Sequence, residues 1–160
     1  MRGALWSGDR YDEFVEDIFR QEAADLAEDA KRLLLELDRD VPGAATTNAD
    51  CRPSLDVMET SATLEVVVDI PGVAPESLRV AIRRNTLLIV GAKLAGMTDP
   101  NARFHLAERS YGRFARVVRL GGAFDAAAAR ATVHDGQLRI VLPRVEDRRG
   151  RVIRIPVERE

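Results

Sequence analysis

The sequence predicts an all-β protein, an antiparallel β-sandwich flanked by a helical N-terminal arm and an extended C-terminal tail. Three observations carry that expectation. Apolar residues recur with period two between about residues 52 and 143, as on strands with one face buried. Turn dipeptides punctuate those runs about every ten residues, a spacing typical of sandwiches. No helical period interrupts them, which excludes parallel βαβ units. The sandwich class is therefore immunoglobulin-like, and the 160 residues divide into an arm over 1–50, a β-domain over 51–143 and an extension over 144–160.

In the arm, Tyr11, Val15, Ile18, Leu26, Ala30, Leu33 and Leu37 follow spacings of three and four, broken only where Glu22 stands. Phe14, Phe19, Leu34 and Leu35 widen that stripe. The helix should end near Asp40-Val41-Pro42-Gly43, a Pro-Gly breaker followed by a small polar run. A long helix with a broad apolar face has to cover it against the domain, a partner or something transient.

In the β-domain, Leu64, Val66, Val68 and Ile70 alternate with Thr63, Glu65 and Asp69. Leu78, Val80 and Ile82 alternate with Arg79, Ala81 and Arg83, and Leu138, Ile140 and Leu142 with Gln137 and Arg139. Leu87-Leu88-Ile89-Val90 is apolar on both faces, which suggests a strand held between two sheets. Pro71-Gly72, Arg84-Asn85, Gly121-Gly122 and Asp135-Gly136 supply the turns.

Beyond the domain, Arg144 to Arg151 is charged and has little to bury. Ile153, Ile155 and Val157 then alternate, so an extended chain points all three to one side. Pro156 lacks an N–H and stiffens the backbone, which suits a docked or edge strand. Such a peptide is suited to dock in a groove, on another copy of the chain above all.

Composition narrows the function. Residues 1–51 hold 13 Asp/Glu against 6 Lys/Arg, a net of −7, and the remainder holds 13 against 18, a net of +5. A nucleic-acid arm would be basic, so nucleic acid is not an expected partner. No apolar run reaches the ~20 residues needed to span a bilayer. Met1 to Trp6 leads into acidic residues without a hydrophobic signal region, and the single cysteine, Cys51, has no internal partner. Both fit a cytoplasmic protein.

Chemistry finds little support. No Gly-x-x-x-x-Gly-Lys occurs for a phosphate, and no Gly-x-Ser-x-Gly surrounds Ser54, Ser61, Ser77 or Ser110. His105 and His134 have neither a cysteine nor a second histidine at metal-ligand spacing. No catalytic residue, metal site or cofactor is expected.

Five pieces in order then resemble one family. They are Pro53-x-Leu55-Asp56-x-x-Glu59-Thr60, Asp69-Ile70-Pro71-Gly72-Val73, Leu88-x-Val90, Glu108-Arg109-x-Tyr111-Gly112-x-Phe114-x-Arg116 and Ala131-x-x-x-Asp135-Gly136-x-Leu138. Residues 53–143 resemble the α-crystallin domain of the small heat-shock proteins, and Ile155-Pro156-Val157 is similar to their tail motif. The family usually has Leu-Pro where this chain has Leu120-Gly121-Gly122, which loosens one turn; its Asn-Gly is here Asp135-Gly136, and Gln137 replaces an aliphatic residue.

The resemblance implies an ATP-independent holdase that binds unfolding proteins under stress, and a homodimer that can assemble into larger oligomers and hand clients to ATP-dependent chaperones. The long segment from Gly91 to Glu108 resembles bacterial and plant members, in which a strand of this loop pairs with the partner's first strand. Phe104, His105 and Leu106 would then cross to the edge at Ser54 to Met58, with Leu55 and Val57 in the interface. Arg116 reads either as a solvent-facing edge arginine or as an inter-subunit ion pair, and the resemblance favours the pair. Glu108 and Arg109 belong to that network or to a solvated turn. The tail's groove is expected between Leu78, Val80 and Ile82 on one strand and Ala131 and Val133 on another. Trp6, Phe14, Ile18, Phe19, Leu33 and Leu34 are the expected client contacts, set against a helix packed permanently inside the oligomer.

Two other functions compete. One is a membrane-surface protein lying on residues 11–37, against which the helix's acidic polar face argues. The other is a co-chaperone adaptor, which leaves the tail and the long loop without purpose. A hydrolase is a formal further alternative without a motif to support it.

Overall fold

The computed structural model describes residues 8–44, 51–96, 99 and 101–145, and only the backbone of residues 8–19. Helix α1 runs Gly8–Asp40, and seven strands follow: β1 Leu55–Glu59, β2 Thr63–Asp69, β3 Leu78–Arg83, β4 Thr86–Lys93, β5 Gly112–Arg119, β6 Arg130–His134 and β7 Gln137–Pro143. All pairings are antiparallel. They build a four-stranded sheet in the order β1-β2-β7-β6 and a three-stranded sheet in the order β3-β4-β5. This is the expected sandwich.

Alternation decides which residues meet between the sheets. Leu64, Val66 and Val68 of β2 join Leu138, Ile140 and Leu142 of β7 from one side. Leu87 and Ile89 of β4 with Phe114 and Val118 of β5 close on them from the other. Burying each such side chain stabilises the fold by ~1.5–3 kcal/mol, so this layer is the main apolar contribution. The β6–β7 hairpin is made by Asp135 (φ 47°) and Gly136 (φ 75°), a two-residue left-handed turn that Asp-Gly favours. At Gly136 a Cβ would stand 3.2 Å from Pro71 Cα, so glycine also permits a close backbone approach there.

The layer beyond the three-stranded sheet corrects one expectation. β4 is apolar on both faces because it lies between a sheet and helix α1, not between two sheets. Leu88, Val90 and Ala92 alternate with the core-facing residues and are 2%, 0% and 1% exposed. A second small apolar cluster joins Ala92 to Leu37, Val41 and Ala44, with Leu34 packed against it. The helix ends where expected: Val41 N–H donates to Leu37 O, and Gly43 takes φ 86°. Pro42 cannot continue the helical hydrogen bonding.

β4 crosses between Leu78 and Phe114 at Gly91, which pairs with both. A Cβ there would lie 2.5 Å from Phe114 Cζ and 2.9 Å from Leu78 Cδ2. Gly91→Ala should therefore overpack the core and cost about 1–3 kcal/mol. The measurement is urea unfolding: a lowered midpoint with an unchanged slope is expected, and an unchanged midpoint would show that the ring has room to move.

Candidate interaction surfaces

Four surfaces carry the residues singled out in the sequence. The first is the edge of β1, which among the described residues pairs with β2 only and has its other side open. Leu55 is half-buried against the core, while Val57 and Met58 are 45% and 44% exposed. The long loop bears the second apolar group: Phe104 is 60% and Leu106 75% exposed, with His105 also exposed between them. Among the described residues, 104–106 form no strand and β1 pairs with β2 alone. An open edge and an exposed apolar segment thus coexist among the described residues.

Arg116 and its neighbours form the second surface. The side chain alternates with the outward Ala115 and Val117, and its Nη1 donates to the Pro53 carbonyl over 2.7 Å. Arg116 thus ties the segment before β1 to β5 and, among the described residues, meets a carbonyl and not a carboxylate. Glu108 is exposed. Arg109 stacks over the Tyr111 ring at 5.0 Å, and the Lys93 ammonium lies 5.9 Å from the same ring. Cation–π attraction therefore anchors the end of the loop where β5 begins.

The groove expected for the tail lies between the edges of opposite sheets, β3 and β6. Val80, Ile82, Val133 and Ala129 are partly buried against the core, and Ala131 is exposed. Leu78 differs from its strand neighbours, being a core residue at 8% exposure. Ile153, Ile155 and Val157 lie outside the described residues.

The fourth surface is under α1. Leu33 lines a cleft of about 300 Å³ with Leu26, Ala81, Ile82 and Leu88, and Leu34 packs on the small second cluster. Trp6 and the side chains of Phe14, Ile18 and Phe19 lie outside the described residues. Sequence reading missed what holds the helix here. Among the described residues six ion pairs cross from it to the sheet: Glu22 to Arg84 and Arg119, Asp25 and Asp29 to Arg83, Asp38 to Arg113 and Asp40 to Arg79. The hydrogen bond to Asp29, with the charges of Asp25 and Asp29, holds the Arg83 guanidinium above its ordinary pKa despite some desolvation. The signal was available in the opposite net charges of arm and body.

The sequence model described as "Hsp20/alpha crystallin family" matches residues 56–158. The chain belongs to the Hsp20/alpha crystallin family. Among relatives in this family, "Small heat shock protein C2" of Rickettsia felis is 28% identical over 71% of this chain and 74% of its own length. The "18.9 kDa heat shock protein" of Oryza sativa is 32% identical over 71% of this chain and 65% of its own. Heat shock protein 16.0 from Schizosaccharomyces pombe has a solved structure that superposes with a TM-score of 0.59 at 28% identity, covering 68% of this chain and all of that one. A small heat-shock protein from Xylella fastidiosa gives 0.56 at 26% identity, covering 67% and 98%. Family membership supports a chaperone role, and members of this family are generally not enzymes. Among the described residues, no helix is long and apolar enough to cross a membrane.

Arg116→Met should remove the bond to the Pro53 carbonyl while keeping the aliphatic stem. A hydrogen bond from a charged group is worth ~1.5–3 kcal/mol, so chemical denaturation at nanomolar protein should show a loss of that order. A variant that unfolds like the native chain there, and differs only at concentrations where copies associate, would place the role of Arg116 between subunits instead.

Proposed function

We propose that the protein is an ATP-independent holdase: it binds unfolding proteins through apolar surface and keeps them from aggregating. One observation carries the reading: residues 56–158 match the Hsp20/alpha crystallin family, which supports a chaperone role. Beside its buried core the chain also keeps Val57, Met58, Phe104 and Leu106 substantially exposed, as surface for contact between copies. Apolar groups left outside a complete core mark interaction sites. Holding clients needs no bond-breaking chemistry and no nucleotide, in keeping with a sequence that has no phosphate-binding loop.

The resting unit is a homodimer. Phe104, His105 and Leu106 of one copy complete the open β1 edge of the other, which buries Leu55 and Val57 and protects an edge prone to uncontrolled pairing. Glu108 lies at the same junction. The arm of residues 1–50 adds client-binding surface through Trp6, Phe14, Ile18, Phe19, Leu33 and Leu34, and the extension of residues 144–160 links dimers. Docking Ile155 and Val157 between β3 and β6 gains ~1.5–3 kcal/mol per side chain. Ordering some four tail residues costs ~1–2 kcal/mol apiece, so a single tail is near balance. Several tails together raise the effective concentration and hold a dynamic oligomer. The Xylella fastidiosa relative is described as having a distinct high order structure, which supports assembly beyond the dimer. The cytoplasm, with ATP-dependent chaperones to receive clients, completes the proposal.

The test of function is light scattering by a thermally unfolding client enzyme. Near-complete suppression is expected at about equimolar subunits with no nucleotide present; unhindered aggregation would overturn the holdase reading. The dimer is tested by replacing residues 102–107 with a Gly-Ser linker. Analytical ultracentrifugation should then find folded monomers, and persisting dimers would place the interface elsewhere.

A further inference from the structure

The outer face of the three-stranded sheet is a defined chemical pattern. Register puts Ala81, Leu88 and Val117 in one row across β3, β4 and β5, with Val90 beside Ala115 in the next. Arginines stand at both ends of this aliphatic patch. Arg83, Arg84 and Arg119 stand at the end where β3 turns into β4, and Arg79 and Arg113 towards the other. What lies on the face matches it. α1 presents Leu26, Leu33 and Leu37 to it, with Glu22, Asp25 and Asp29 towards one end and Asp38 and Asp40 towards the other.

The fit is complementary in charge but loose in packing. Clefts of about 250 and 300 Å³ remain between helix and sheet. Val117 stays 50% exposed beside the helix, and Asp38 keeps one buried carboxylate oxygen, Oδ1, without a hydrogen-bond partner. Most of the paired arginines are open to solvent; Arg84 and Arg119 are 70% and 62% exposed. Exposed ion pairs contribute little each and are screened by salt. Tight helix packing would fill such voids and resist release.

We infer that this face is a binding surface for acidic amphipathic helical segments of unfolding proteins, and that α1 occupies it as an internal competitor. Release of the helix would uncover the apolar patch and all five arginines in one step. The inference rests on the chaperone reading for the identity of its partner, while the surface itself rests on the ion pairs and the patch.

The probe is a fluorescein-labelled synthetic peptide of residues 20–41, added to full-length protein and read by anisotropy. The native chain should bind it weakly, because its own helix competes. Glu22→Lys with Asp25→Lys and Asp29→Lys should free the face and bind the peptide at least about tenfold more tightly, with the gain lost between low and high salt. Arg83→Glu, Arg84→Glu and Arg119→Glu together should abolish binding. Equal affinity of native and helix-reversed chains would overturn the competition, and binding that survives the arginine reversals would overturn the site. Circular dichroism checks folding, and the single change Asp29→Lys replaces the triple variant if that fails to fold, with the same sign expected. Client light scattering separates the two readings. Suppression by the native chain with no peptide effect sinks only this surface; peptide binding without suppression sinks its assignment to clients along with the holdase reading.

Discussion

Strand β4 is buried on both faces, and the other elements are arranged around that constraint. Leu87 and Ile89 point into the sandwich, Leu88, Val90 and Ala92 point away from it, and all five are almost completely covered. A strand with two apolar faces needs a layer on each side, so the sandwich alone cannot satisfy it. Helix α1 supplies the missing layer. The tight crossing at Gly91, where Phe114 and Leu78 leave no room for a Cβ, belongs to the same strand.

The two sides of β4 differ in kind. On the inner side, leucine, valine, isoleucine and phenylalanine from five strands form one continuous core. On the outer side the apolar cluster is small, and ion pairs frame it. Apolar burial is strong and is not screened by salt, whereas exposed pairs are weak and screened. One strand thus carries a continuous apolar layer on one face and a small apolar layer framed by charge on the other, and the acidic character of the arm supplies that frame.

The edges follow a parallel logic. Among the described residues the ladder ends at β1, and Val57 and Met58 are exposed there. The other sheet's edge at β5 is tied back by Arg116 to the Pro53 carbonyl. At the end of the long loop Arg109 and Lys93 both lie against the Tyr111 ring, which holds the base of the loop while Phe104 and Leu106 stay outside.

The sandwich was legible from sequence because its signals are local. Period-two alternation in β2, β3 and β7 follows from strand geometry alone, and Asp135-Gly136 prescribes its own turn. The end of α1 at Pro42-Gly43 was equally local. The partner of the helix was not, because a period of 3.6 shows which residues share a face but not what covers it. The same limit explains β4: two apolar faces look alike in sequence whether a sheet or a helix lies on them. Arg116 was open between two readings because its carbonyl partner lies 63 residues away in the chain. The sequence by itself thus determined the strands, the turns and the opposite charges of arm and body. Only the tertiary structure decided that those charges meet, since pairing between residues 39 to 97 positions apart depends on how the layers stack and not on any local pattern.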